Sequence, residues 1–121
     1  MKIAIVVGTR PEIIKMSPII KYCELKNIKH DIIHSQQHYS ENMDKLFFKD
    51  LGIEYPKINL GVKSKKPHTQ IAEIMKKCGE IFIKNCYDFI LVQGDTNTVL
   101  AAALAANKCK IKLGHVEAGL R

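Results

Sequence analysis

Hydrophobic positions along the chain fall into two patterns, short apolar runs and longer stretches in which apolar residues recur three and four positions apart. Short runs rich in Ile and Val predict strands that are buried on both faces of a parallel sheet. Such runs are KIAIVV at 2–7, HDIIHS at 30–35, a weak one at 57–60, DFILV at 88–92 and KIKLGH at 110–115. The helical pattern occupies the segments between them, at about 11–26, 43–52, 69–85 and 99–108.

Proline and glycine mark several ends of these elements. Pro11 suits the first turn of a helix, where a missing N–H costs little. Pro18 lies inside the same helical pattern and predicts a kink or a break. Gly52 follows the second helical pattern directly, and a glycine there can end a helix in the left-handed conformation.

Strands that alternate with helices predict an α/β fold, a Rossmann-like parallel sheet with right-handed crossovers and helices on both faces. We expect the strand order 3-2-1-4-5, in which the chain reverses direction between strands 1 and 4. Ligands of such sheets bind at the carboxyl ends of the strands, near this switch point.

Polar residues gather where three of the predicted strands end. These segments are GTRPE at 8–12, QGDTNT at 93–98 and HVEAGLR at 115–121. The predicted strand order places all three on one rim of the sheet. We therefore expect the functional site on this rim.

Arg10 and Lys15 follow the first strand and predict a site for an anion. The N-terminus of a helix attracts negative charge, and the guanidinium of Arg10 matches a phosphate or a carboxylate. Lys15 lies one turn further on, and helical side chains lean back toward the N-terminus. The alternative is that both are ordinary surface cations.

Asp95 and Glu117 are the candidate acid and base groups. Each follows a buried strand, and Glu117 lies between Gly114 and Gly119, whose bare backbone lets a ligand approach closely. Two carboxylates near an anion site suggest acid–base chemistry on a phosphorylated or nucleotide-linked substrate. Asp95 could instead cap the following helix, as Thr96 or Asn97 could.

Charge and composition narrow the class of protein. The net charge of +7 comes from dispersed lysines without interleaved aromatic residues, so we expect a basic surface that attracts small anions rather than nucleic acid. No apolar run reaches the ~20 residues of a membrane span, and we expect a cytoplasmic protein.

The four cysteines show neither zinc spacing nor CxxC pairs and are expected to be reduced core residues. His34 and His38 do not make a convincing metal site, because His34 lies in a predicted strand.

Four segments together resemble the non-hydrolysing UDP-N-acetylglucosamine 2-epimerases: GTRPEIIKMSP, QQHYSENM, QGDTNTVLAAALAA and GHVEAGLR. The resemblance implies an isomerase that interconverts UDP-N-acetylglucosamine and UDP-N-acetylmannosamine for cell-surface polysaccharide synthesis. It also implies a homodimer that needs no metal or nicotinamide cofactor. The implied fold has two Rossmann-like domains in the glycosyltransferase-B arrangement, with the active site between them.

The resemblance covers only the first of those domains. Residues 1–121 would be an incomplete N-terminal domain, and a C-terminal UDP-binding domain would be absent, so we expect this chain to be inactive alone. The resemblance assigns substrate contacts to Arg10 and Lys15 and active-site roles to the carboxylates Asp95 and Glu117. Gln37 and His38 match a regulatory site for a second UDP-N-acetylglucosamine in some members, but the 63–69 loop lacks the arginine of that site.

Other functions fit the same motifs. A hydrolysing epimerase would release free N-acetylmannosamine and UDP, and a glycosyltransferase of the same fold would transfer the sugar to an acceptor. A non-catalytic module would bind the nucleotide sugar without turnover.

Overall fold

The computed structural model describes residues 1–35 and 41–117, without the side chains of residues 41–44. Its elements are β1 (Lys2–Val7), α1 (Arg10–Leu25), β2 (Lys29–His34), α2 (Glu41–Leu51), β3 (Ile58–Asn59), α3 (Pro67–Asn85), β4 (Phe89–Gln93), α4 (Asn97–Lys108) and β5 (Lys112–Val116). Each predicted element is present, and most of the ends differ from the prediction by one or two residues.

The five strands form one parallel sheet in the order β3-β2-β1-β4-β5, which confirms the predicted topology. Ile5 of β1 stands between Ile32 of β2 and Leu91 of β4 in the register. The chain reverses direction between β1 and β4, so the switch point lies where the sequence predicted it.

The core has two layers because successive side chains of a strand point to opposite faces of the sheet. Ala4 and Val6 of β1 pack in one layer with buried residues of α3 and α4. Ile5 and Val7 pack in the other layer with α1 and α2. The helices therefore cover both faces, as predicted.

α1 continues unbroken through Pro18, where the sequence suggested a kink or a break. In an α-helix the backbone N–H of residue 18 would donate to the carbonyl of Ile14, but proline has no N–H. The hydroxyl of Ser17 donates to that carbonyl instead, at 2.8 Å. Ser17 thus supplies a donor to the carbonyl that Pro18 cannot reach with an N–H.

The expectation that all four cysteines are core residues is wrong for Cys86. Cys23 and Cys78 are buried, and burial raises the pKa of the Cys78 thiol to about 12. Cys86 is exposed and ends α3 in the left-handed conformation, with φ of 52°. No helix within the described ranges is long and apolar enough to cross a membrane.

Candidate active site

A cleft of about 650 Å³ lies at the carboxyl ends of β1, β4 and β5. The three polar segments predicted to meet on this rim all contribute to its walls. The residues that line it are Thr9, Pro11, Glu12, Lys15, Gln93, Gly94, Asp95, Thr96, His115 and Glu117. Three of the four residues that the sequence assigned to the substrate, Lys15, Asp95 and Glu117, lie in this one cleft.

Lys15 and Glu117 form an ion pair across the cleft. The Nζ atom of Lys15 lies 3.2 Å from Oε2 of Glu117, although the two residues are far apart in sequence. Both side chains are partly exposed, at 48% and 33%, so water screens the pair and its contribution to stability is small. The ammonium is therefore available to a competing anion, such as a phosphate.

Asp95 lies in the turn between β4 and α4, is exposed, and lines the cleft. It is not the cap of α4, because Thr96 holds that position and accepts a hydrogen bond from the backbone N–H of Val99. Asp95 makes no side-chain hydrogen bond or ion pair within the described ranges. The structure therefore excludes the capping alternative for Asp95.

Glu12 is a site residue that the sequence analysis did not single out. Its carboxylate is buried, with 2% exposure, and accepts from the backbone N–H of Gly8 at 3.2 Å and the hydroxyl of Thr9 at 2.7 Å. Its other oxygen accepts from the hydroxyl of Thr96 at 2.9 Å. Glu12 thus ties the N-terminus of α1 to that of α4, across the switch point.

The spacing Thr9-x-x-Glu12 was the available signal for this arrangement. A threonine cap followed three residues later by a glutamate is a capping box, in which the two residues satisfy each other's backbone donors. Here the N–H of Glu12 donates to the hydroxyl oxygen of Thr9, at 3.4 Å. The carboxylate of Glu12 accepts from the N–H of Gly8 rather than from that of Thr9, and the spacing reveals neither this bond nor the one to Thr96.

This capping limits the anion site that was expected at the start of α1. The backbone donors of Gly8 and Glu12 already have acceptors, and Pro11 has no N–H to offer. The carboxylate of Glu12 therefore occupies part of the place that the sequence assigned to an external anion. Positive charge for a ligand in the cleft comes mainly from Lys15.

Arg10 lies apart from the cleft lining. Its guanidinium carbon is 5.1 Å from the centre of the Phe47 ring, so Arg10 stacks against α2. The structure thus places Arg10 and Lys15 in different surroundings, although both belong to the first two turns of α1.

His115 and the backbone around it shape the far wall of the cleft. The Nε2–H of His115 donates to the carbonyl oxygen of Gly94 at 2.6 Å, so this histidine satisfies a backbone group. Gly94 has φ of 87°, a conformation that favours glycine. Glu117 has φ of 65° without being glycine, and such strained backbone often occurs at functional sites.

Gly8 is required by close packing beneath the cleft. A β-carbon at this position would overlap the hydroxyls of Thr98 and Ser35, which are hydrogen-bonded to each other at 2.7 Å. The first glycine of the GTRPE segment therefore lets β1 and α4 approach closely. Gln37 and His38, the candidate regulatory residues, lie outside the described residues, as does the end of the HVEAGLR segment.

Comparison with known proteins identifies relatives for nearly the whole chain. A family model described as UDP-N-acetylglucosamine 2-epimerase matches residues 21–121. The chain is 54% identical over 120 residues to the UDP-N-acetylglucosamine 2-epimerase of Methanococcus maripaludis, covering 99% of this chain and 32% of that protein. It is 53% identical over 121 residues to the enzyme of the same name from Methanocaldococcus jannaschii, covering 100% of this chain and 33% of that protein.

The fold agrees with these relationships. The crystal structure of the Methanocaldococcus jannaschii UDP-GlcNAc 2-epimerase in complex with UDP-GlcNAc and UDP superposes with a TM-score of 0.92 at 53% identity. The match covers 100% of this chain and 33% of that one. The chain thus spans about a third of the length of the relatives it matches.

Proposed function

The chain belongs to the UDP-N-acetylglucosamine 2-epimerase family, and we propose on that basis that it forms the first domain of an isomerase that interconverts UDP-N-acetylglucosamine and UDP-N-acetylmannosamine. The observation that carries the proposal is the cleft at the β1–β4 switch point. Two carboxylates from the ends of two strands, Asp95 and Glu117, meet there with the cation of Lys15.

The reaction itself explains why two carboxylates are useful. The C2 proton of the sugar is not activated by a neighbouring carbonyl, so direct inversion is difficult. In the proposed reaction a base takes the C2 proton, the C–H electron pair becomes a C1–C2 double bond, and UDP departs with the C1–O electron pair. UDP then adds back to C1 while a proton returns to the opposite face of C2. Different faces require differently placed acid and base groups.

Asp95 and Glu117 are proposed to share this proton transfer. Their positions in the cleft support the assignment, and Asp95 has no side-chain hydrogen bond within the described ranges that would occupy it. Lys15 is proposed to bind the anionic part of the substrate, exchanging its contact with Glu117 for the diphosphate. A cation there stabilises the negative charge that develops as UDP leaves.

Arg10 is proposed to contribute a second, peripheral contact to the phosphates. Its place in the first turn of α1, whose N-terminal residues line the cleft, supports this role. Gln37 and His38 are retained as a proposed regulatory site for a second nucleotide sugar.

The remaining two-thirds of the relatives' length supports a two-domain enzyme. In this proposal residues 1–121 belong to the N-terminal Rossmann-like domain of a glycosyltransferase-B-like fold. A second domain supplies the uridine contacts and closes the cleft, and the full-length protein is a homodimer. Closure would exclude water and strengthen each electrostatic contact in the site.

The proposal is tested on the full-length protein in D₂O with UDP-N-acetylglucosamine, by proton NMR of the sugar C1 and C2 signals. We expect UDP-N-acetylmannosamine to appear with deuterium at C2 and without free sugar. Accumulation of free N-acetylmannosamine would identify a hydrolysing epimerase instead. Absence of exchange at C2 would overturn the proposed reaction.

A further inference from the structure

Gln93 is a buried polar side chain at the end of an apolar strand, where it contacts a proposed acid–base group. It is 4% exposed, and its Nε2 donates to Oε2 of Glu117 at 2.9 Å. The register pairs Gln93 with Val116, so the amide starts next to the backbone that leads into Glu117. Burying an amide at this position costs free energy unless its hydrogen bonds are used.

Two donors meet on the same oxygen of Glu117. Lys15 contacts Oε2 at 3.2 Å and Gln93 contacts it at 2.9 Å, while Oε1 accepts no hydrogen bond from the described part of the chain. A carboxylate held by one oxygen presents the other in a defined direction. Because Glu117 lines the cleft, that second oxygen is the one available to a ligand.

The two donors are not equivalent. The ammonium of Lys15 is on a flexible side chain that is about half exposed, and it carries the charge that attracts an anion. The amide of Gln93 is neutral, buried and fixed to a central strand of the sheet. If Lys15 turns toward a phosphate, Gln93 is the donor that remains on Glu117.

We propose that Gln93 is a positioning residue, which holds Oε2 of Glu117 so that Oε1 is directed at C2 of the sugar. This inference rests on the proposed function. The step it serves is proton transfer between C2 and Oε1: the proton passes to the carboxylate, the C–H electron pair forms the C1–C2 double bond, and UDP leaves with the C1–O pair. Gln93 itself exchanges no proton and makes no bond to the substrate.

The test uses the full-length protein with Gln93→Met, which keeps the length of the side chain and removes its donors. Misplacing a reacting group by about 1 Å can cost about a hundredfold in rate, so we expect kcat to fall about 30-fold. KM for UDP-N-acetylglucosamine should change less than about twofold, because the proposed binding cation, Lys15, is untouched. The control is Gln70→Met on α3, a glutamine that does not line the cleft and whose amide donates to the carbonyl of Ser64 and accepts from Asn97 at the start of α4.

A double-mutant cycle separates positioning from general damage to the fold. If Gln93 acts through Glu117, adding Gln93→Met to Glu117→Gln should lower the residual C2 exchange less than about twofold. An equal loss in both backgrounds would overturn the proposal, since it would show that Gln93 acts independently of the carboxylate. A change in KM alone, with kcat unchanged, would overturn the proposal as well.

A spectroscopic readout keeps the two proposals distinguishable. The side-chain amide signal of Gln93, identified by its loss in Gln93→Met, should shift when Glu117→Ala removes its acceptor, with no substrate present. An unmoved signal overturns the positioning role, whatever the activity. If Glu117→Ala shifts the signal but the wild-type protein shows no C2 exchange, the proposed function is overturned and the hydrogen bond remains established.

Discussion

The two ends of the sheet both hold clusters of charged and polar side chains, but the clusters differ in how they are built. At the amino end, the Tyr87 hydroxyl donates to Asp31 at 2.5 Å, and the ammonium of Lys2 lies 4.0 Å from the same carboxylate and 5.1 Å from the Tyr87 ring. The backbone N–H of Lys2 donates to Asp88 at 2.7 Å. This cluster fastens β1 to β2 and to the start of β4.

At the carboxyl end, hydrogen bonds also hold Glu12 and Gln93, but one carboxylate is exposed without a partner in the described ranges. Asp95 has neither a hydrogen bond nor an ion pair there, and Glu117 is held by one oxygen alone. Asp95 and one oxygen of Glu117 therefore stay available to a ligand at the carboxyl end.

The comparison teaches that residue type alone does not distinguish a functional cluster from a structural one. Lysine and carboxylate meet at both ends of the sheet. What distinguishes the carboxyl end is a larger cleft, about 650 Å³ against about 460 Å³ at the amino end, a carboxylate without a partner in the described ranges, and its place at the switch point of the strand order. These features depend on the fold and not on composition.

Asp95→Asn should show the largest effect, and only on activity. Removing an acid–base group costs about 10²–10⁴ in rate, and we expect C2 exchange by the full-length protein to fall about 10³-fold. Because Asp95 is exposed and bonded to nothing in the described ranges, the free energy of unfolding should change by less than about 0.5 kcal/mol. Both are measured, by NMR in D₂O and by urea denaturation.

The matched control is Asp50→Asn, an exposed aspartate of α2 that does not line the cleft. It should leave both quantities unchanged. A large loss of stability in Asp95→Asn would break the comparison, because it would place Asp95 among the structural residues.

Glu12→Ala should have the next largest effect, mainly on stability. It leaves the N–H of Gly8 and the hydroxyls of Thr9 and Thr96 without their acceptor. Unsatisfied buried donors cost about 1–3 kcal/mol each, but water from the adjoining cleft can reach some of them, so we expect a loss of about 3 kcal/mol in the free energy of unfolding. Urea denaturation with an unchanged m-value measures it.

Glu12→Gln is the conservative control for that change. It keeps the shape and one carbonyl oxygen, so it should cost about 1 kcal/mol, less than half as much. If Glu12→Gln and Glu12→Ala lost the same free energy of unfolding, the charge of Glu12 would matter and the geometry of its hydrogen bonds would not. Glu12 sharpens the comparison, because it is a structural residue within the functional end of the sheet.

The sequence predicted the strand order and the meeting of three polar segments, because both follow from the periodicity of apolar residues and from the rules of parallel sheets. It did not predict the partners of individual side chains. Lys15 faces Glu117 rather than Arg10, and Arg10 stacks on Phe47, because these contacts depend on how α1 and α2 are rotated on the sheet. The roles of Glu12 and Gln93 likewise depend on residues brought together from distant parts of the chain.

Tyr87→Phe should give the smallest effect, about 1 kcal/mol at neutral pH, since it removes one hydrogen bond to a carboxylate that stays partly solvated. Burial, and then the hydrogen bond and charge of Asp31, raise the pKa of Tyr87 above its ordinary value of 10.0. The unfolded chain therefore loses this proton at a lower pH than the folded chain. The free energy of unfolding should fall as the pH rises above about 10.

The difference in the free energy of unfolding between wild type and Tyr87→Phe isolates the contribution of Tyr87. Cys78, whose pKa is also raised, titrates in both proteins and cancels from that difference. The two stabilities, measured by urea denaturation from pH 8 to 11, should converge toward the alkaline end. Tyr22→Phe, at an exposed tyrosine of α1, should run parallel to wild type throughout. A constant difference between wild type and Tyr87→Phe would mean that the amino end of the sheet is as open to water as the cleft, and the contrast between the two ends would fail.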